Sequence, residues 1–218
     1  MFAQVMFTQL RWTRMILLFT SVATFLTPVI AWWIGGTRVL NPESPRAVMS
    51  GFDTGGPMLV LIGILAAFLL AVYPWTMDAA ARHTLPLSLP ITWRRYVAMR
   101  FAAGALLLLV PALTLWFGAL LVVAQLELPP TLRAYPGMLA LRFLAALMLA
   151  YSMTFALQYL AGRRSAAVAL GLLVGGVLLS AGLAIIGDGG VTGMLFDWLV
   201  EFPGPLAVFA SDWKLIDV

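Results

Sequence analysis

Residues 101–124 read FAAGALLLLVPALTLWFGALLVVA, with no charged side chain anywhere in the run. A helix in a soluble bundle keeps one polar face, and this run has none. A bilayer core about 30 Å thick needs roughly 20 apolar residues per helical crossing, so the run predicts a membrane-crossing helix. Working outward, residues 15–35, 57–77, 137–160 and 165–186 form four further runs of spanning length. Over all 218 residues, 62% are hydrophobic and 10% charged, and mean hydropathy is +0.99, far above the ~45–50% apolar usage of soluble domains. The fold class that follows is an all-α integral membrane protein, a polytopic helical bundle with five transmembrane helices in a single domain spanning residues 1–218.

The connections carry turn signals: Asn41-Pro42, Gly55-Gly56-Pro57, Pro129-Pro130 and Gly187-Asp188-Gly189-Gly190. Lys and Arg concentrate in cytoplasmic connections near span ends. With the N-terminus in the cytoplasm, Arg11, Arg14, Arg82, Arg94, Arg95, Arg100, Arg163 and Arg164 lie inside, eight of the thirteen basic residues, against Asp78 alone of the nine acids. This predicts a multi-pass protein of the cell (inner) membrane with a cytoplasmic connection at 78–100. Residues 1–14 read as a short amphipathic helix in the membrane surface, with Gln4, Thr8 and Arg11 on one face and Ala3, Met6, Phe7 and Leu10 on the other. Residues 187–218 form an external tail. There Asp197, Glu201 and Pro203-Gly204-Pro205 interrupt any run, so the expectation is a broken external or re-entrant segment, with a sixth span absent or beyond Val218.

Several function classes drop out. There is no cysteine and one histidine, which leaves no thiolate or histidine-cluster metal site. No phosphate loop, nucleophile elbow or H-E-x-x-H motif is present, and the single lysine is Lys214. The chain is therefore expected to be no enzyme and to bind no cofactor itself. Its basic residues sit at the ends of apolar runs rather than in one patch, which speaks against nucleic acid. Of the charges inside the runs only Arg142 stands out, about one turn in, and no carboxylate lies at mid-depth as a proton-coupled carrier would need.

Milder polar features remain. Thr20, Thr24 and Thr27 share a face of the first span, either as a substrate path or as helix-packing hydroxyls. Gly171 and Gly175 form a G-x-x-x-G that permits close helix packing. Trp32, Trp33, Tyr73, Trp75, Trp93 and Tyr96 fall near span ends, as an interfacial aromatic belt does.

The connection at 82–96, RHTLPLSLPITWRRY, asks for more than topology. Its arginines are accounted for, but Leu85, Leu87, Leu89 and Ile91 are apolar where cytosol is expected, and exposed apolar clusters mark partner sites. Pro86 and Pro90 stiffen their presentation. From Leu89 to Val97 the segment LPITWRRYV resembles the L-P-[VI]-S-R-R-x-[IYV]-V segment between the second and third spans of ABC-2-type permeases, the membrane subunits of ATP-binding-cassette exporters. Thr92 and Trp93 stand where that family carries a small polar and a basic residue.

The resemblance implies a permease subunit that moves an amphipathic or hydrophobic substrate such as a lipid, drug or peptide. Its partners would be a cytoplasmic ABC ATPase, which holds the ATP and Mg, a second permease subunit and membrane lipids. The ATPase-coupling surface would comprise Arg82, His83, Leu85, Leu87, Leu89, Ile91, Arg94 and Arg95. The alternative is a non-transporting membrane scaffold or assembly subunit.

Overall fold

The structure is a computed structural model, and it describes residues 1–38, 45–80, 92–126, 132–161, 171, 213 and 215–217. Five helices carry the described chain: α1 (Phe2–Arg38), α2 (Pro45–Ala80), α3 (Trp93–Leu107), α4 (Leu109–Val123) and α5 (Pro136–Ala161). Two short strands, β1 (Arg133–Ala134) and β2 (Ile216–Asp217), pair antiparallel with Arg133 opposite Asp217. Among the described residues, four helical stretches are long and apolar enough to cross a membrane: Phe2–Ile34, Met58–Asp78, Trp93–Val123 and Pro136–Leu160. Of the fifth expected span, residues 165–186, Gly171 alone is among the described residues, and most of the tail lies outside them, as does Gly175.

Helices α3 and α4 form one spanning unit with a turn at Leu108. Pro111 explains the interruption, because it lacks the N–H that would bond the Leu107 carbonyl four residues back. The helices close a ring in which α1 packs on α2 and on α3 and α4, while α5 packs on α2 and α4. Small residues line the interior, among them Ala66, Ala67, Ala71, Ala103, Ala112, Ala119 and Ala146, whereas Phe7, Phe19, Leu61, Phe117, Leu121 and Leu141 point outward. Small residues at the contacts let helices meet closely in an apolar solvent, and larger side chains such as Tyr96, Phe143, Tyr151, Leu59 and Leu70 fill the rest of the interior.

The tightest crossing is between α1 and α4. A Cβ on Gly118 would collide with the Phe25 carbonyl oxygen, so glycine is what allows the two backbones to meet. Beside it, Thr24 and Thr114 join hydroxyl to hydroxyl at 2.9 Å. The Thr24 hydroxyl is also 2.9 Å from the Thr20 carbonyl, and Thr27 donates to the Ala23 carbonyl at 2.8 Å. All three threonines of the first span are buried. Interhelical hydroxyl bonds in membranes average about 0.6 kcal/mol. Thr24→Val should therefore lower stability by only about that much, measured as the shift in a denaturing-detergent titration.

Three boundaries differ from those the sequence suggests. Residues 1–14 are not a separate surface helix, since α1 runs unbroken from Phe2 to Arg38. Its buried stripe is Val5, Gln9, Thr13 and Leu17, while Phe7 and Leu10 face outward. Arg11 and Arg14 resemble a boundary in one dimension but stand on the exposed side of a continuing helix. At ~1.5 Å per residue, the 33 residues Phe2–Ile34 extend about 50 Å, which exceeds a ~30 Å hydrocarbon core.

The second boundary is Gly55-Gly56-Pro57, which lies inside α2 rather than in a turn. There Gly56 lets the backbone approach Trp213, whose Cβ would be 3.2 Å from an added Cβ. The third is the connection expected at 78–100, which is shorter, because α2 continues to Ala80 and α3 begins at Trp93.

The described end of the tail returns to the bundle. The Tyr135 N–H bonds the Leu215 carbonyl at 2.9 Å, extending the β1–β2 pair. Trp213 is buried against Phe143, with ring centroids 6.3 Å apart, and lies under the Arg142 guanidinium at 4.6 Å. Arg142 thus sits over an aromatic face rather than projecting from its span alone.

Candidate functional site

The connection between α2 and α3 leaves from a buried polar cluster. Asp78, in the last turn of α2, is fully buried, and Arg100, two turns into α3, is 2% exposed. They form a salt bridge at 2.7 Å. Tyr96, one turn before Arg100 on the same face, donates its hydroxyl to Asp78 Oδ2 at 3.0 Å and accepts from Arg100 Nη1 at 2.8 Å. The donors suffice without conflict. Nη1 supplies one proton to the carboxylate and one to the phenol, and the phenol supplies its own to the carboxylate. A buried ion pair compensates its desolvation only when its geometry is good and further hydrogen bonds support it. The triangle supplies those bonds at Asp78 Oδ2 and Arg100 Nη1, whereas Arg100 Nη2 is buried with no hydrogen-bond partner among the described residues.

Aromatic rings wall the triangle. The Arg100 guanidinium lies 4.5 Å above the Trp75 ring and 5.6 Å from that of Tyr96, a cation–π arrangement that strengthens when desolvated. Trp75 meets Trp93 at 6.0 Å and Phe155 at 5.8 Å, which ties α2 to the first residue of α3 and to α5. Behind them Phe101, Tyr151 and Phe155 pack with centroids 5.2–5.7 Å apart. Gly104 makes room for this wall, because a Cβ there would collide with the Tyr151 hydroxyl and come within 2.8 Å of the Gln9 amide nitrogen.

Gln9 brings α1 to the same place. It is buried, and with Val5, Thr8, Trp12, Pro74, Tyr96 and Arg100 it lines a cavity of about 10 Å³. A space of that size suits about one water, far below the ~300 Å³ of a small-molecule pocket. The cluster is therefore a fastening between helices and not a substrate chamber. Among the described residues, no group of three His, Cys, Asp or Glu side chains could hold a metal.

Of the residues singled out in the sequence, Arg94 and Arg95 stand exposed on the first turn of α3. Arg82, His83, Leu85, Leu87, Leu89 and Ile91 lie outside the described residues. Thr20, Thr24 and Thr27 lie along α1, as described above, where it meets α4 at Thr114 and Gly118. Gly171 has no described atom within 4 Å of where a Cβ would be. Sequence reasoning counted Asp78 and Arg100 only for orientation, with Arg100 expected at headgroups or the ATPase rather than buried, passed over Gln9 and Tyr151, and took Tyr96 and Trp75 only as interfacial aromatics. A signal was present: Asp78 is the lone acid near the arginines flanking this connection, and Tyr96 and Arg100 are four residues apart, on one helix face. Compared with known proteins, the chain matches no family model, no curated protein and no solved structure.

Proposed function

We propose that the chain is the permease subunit of an ATP-driven exporter of the ABC-2 type, moving an amphipathic or hydrophobic substrate across the inner membrane. In this reading the N-terminus and the 81–91 connection face the cytoplasm. The observation that carries the proposal is the segment Leu89–Val97, LPITWRRYV, together with the fastening of its Tyr96 to Asp78 and Arg100. A coupling segment must pass a push to its helices without loss. With Asp78 of α2 bonded to both Tyr96 and Arg100 of α3, and Trp75 packed on Trp93, the two ends of the connection are tied to each other. A force on it would move the ends of α2 and α3 as one body.

The pushing surface in this reading is Leu85, Leu87, Leu89 and Ile91, with Arg82, His83, Arg94 and Arg95 meeting acidic groups of the ATPase or lipid headgroups. ATP and Mg bind the partner ATPase, and a second permease subunit completes the pathway.

The test is to charge the apolar surface. Leu87→Asp or Leu89→Asp in the assembled, membrane-reconstituted complex should reduce substrate-stimulated ATP hydrolysis by about tenfold or more, since one apolar anchor at an interface contributes ~2 kcal/mol. Helix content and thermal stability should not change. Transport retained in the doubly charged variant would overturn the coupling role.

A further inference from the structure

A second opening lies on the side of the bundle where α1 meets α2. Its volume is about 590 Å³, and it is lined by Arg11, Trp12, Arg14 and Met15 of α1 with Tyr73 and Met77 of α2. We propose that this cleft binds an anionic phospholipid, with its phosphodiester held between Arg11 and Arg14 and its acyl chain running along α1.

Charge selects the headgroup. Arg11 and Arg14 are exposed and three residues apart, hence on one face of α1, and neither forms an ion pair among the described residues. The nearest acid in sequence to the α2 wall, Asp78, is fully buried and engaged by Arg100 and Tyr96, so it does not offset them. Guanidinium groups bind phosphate through paired, charge-assisted hydrogen bonds. The choline of a zwitterionic lipid would gain nothing beside two cations. Basic pockets between spanning helices are a recurrent solution for anionic headgroups.

Apolar surface selects a lipid over an acidic peptide. Trp12 and Tyr73 place amphipathic rings at the cleft, as headgroup-level aromatics do, and Met15 and Met77 give it a pliable apolar lining. From there Met15, Phe19 and Val22 are 55%, 73% and 55% exposed, an outward apolar stripe leading along α1 away from the arginines. A peptide would leave that stripe uncovered, whereas an acyl chain follows it. The volume falls within the ~300–1,000 Å³ range of ligand sites. This inference rests on α1 crossing the membrane and is independent of the exporter reading, so its test uses the chain without an ATPase.

The measurement is native mass spectrometry of the detergent-purified chain equilibrated with phosphatidylglycerol or with phosphatidylcholine. Phosphatidylglycerol should remain bound preferentially, and Arg11→Gln/Arg14→Gln should lower its retention roughly thirtyfold, two surface arginines being involved. Met77→Trp, which narrows the cleft and leaves every charge in place, should lower it as well and serves if the double variant fails to fold. Three results would overturn the proposal: Arg94→Gln/Arg95→Gln lowering retention as much as the cleft variant, Met77→Trp binding as the parent does, or phosphatidylcholine being retained as well as phosphatidylglycerol.

Discussion

Arg100→Leu is expected to lower the stability of the bundle by about 3–5 kcal/mol, because it removes the guanidinium paired with the buried Asp78 carboxylate. Asp78 is fully buried and bonds the arginine at 2.7 Å. The Tyr96 hydroxyl, which also bonds the carboxylate at 3.0 Å, is a neutral donor and does not replace the lost charge. The companion Asp78→Leu should cost a similar amount, leaving the guanidinium stacked on Trp75 and Tyr96 with no anion. The diagnostic result is the double variant. Asp78→Leu/Arg100→Leu removes both charges, so it should recover most of the loss, as apolar replacements of buried pairs commonly do. Unfolding in mixed micelles measures all three, and additive single-variant costs would mean that the pair does not hold α2 to α3.

Gly118→Val is expected to have the next largest effect, about 3 kcal/mol, at the upper end for an overpacked contact. What a new side chain would meet is the Phe25 carbonyl, part of a backbone and not a flexible side-chain end. The helices can relieve the collision only by separating, which also breaks the 2.9 Å Thr24–Thr114 bond. The same titration used for Thr24→Val provides the comparison. Gly118→Val should cost several times more, and equal losses would mean that the hydroxyl bond, not the backbone approach, fixes this crossing.

These two positions mark where the sequence was and was not legible. The apolar runs at 57–77, 101–124 and 137–160 coincide with Met58–Asp78, the greater part of Trp93–Val123, and Pro136–Leu160, because length and the absence of charge are one-dimensional properties. The continuity of α1 was hidden, since Arg11 and Arg14 in a linear reading mark an edge, and their exposure on one side of a helix becomes visible only once its other face is packed. The Asp78–Arg100 pair was hidden for a related reason. Counting charges for orientation assigns each a side of the membrane and discards which charges meet across 22 residues of chain. Gly118 gave no signal, being one of 19 glycines whose special role depends on which helix lies opposite. The apolar connection at 85–91, by contrast, is conspicuous in the sequence and lies outside the described residues.

The most direct measurement is to purify the chain from its native membrane in a mild detergent and assay the complex for Mg-dependent ATP hydrolysis. An exporter permease should bring with it a nucleotide-binding subunit whose ATP hydrolysis comigrates with the chain through size exclusion and is released by Leu87→Asp/Leu89→Asp. A stable complex whose partners include no ATPase would contradict the permease assignment and favour a membrane scaffold.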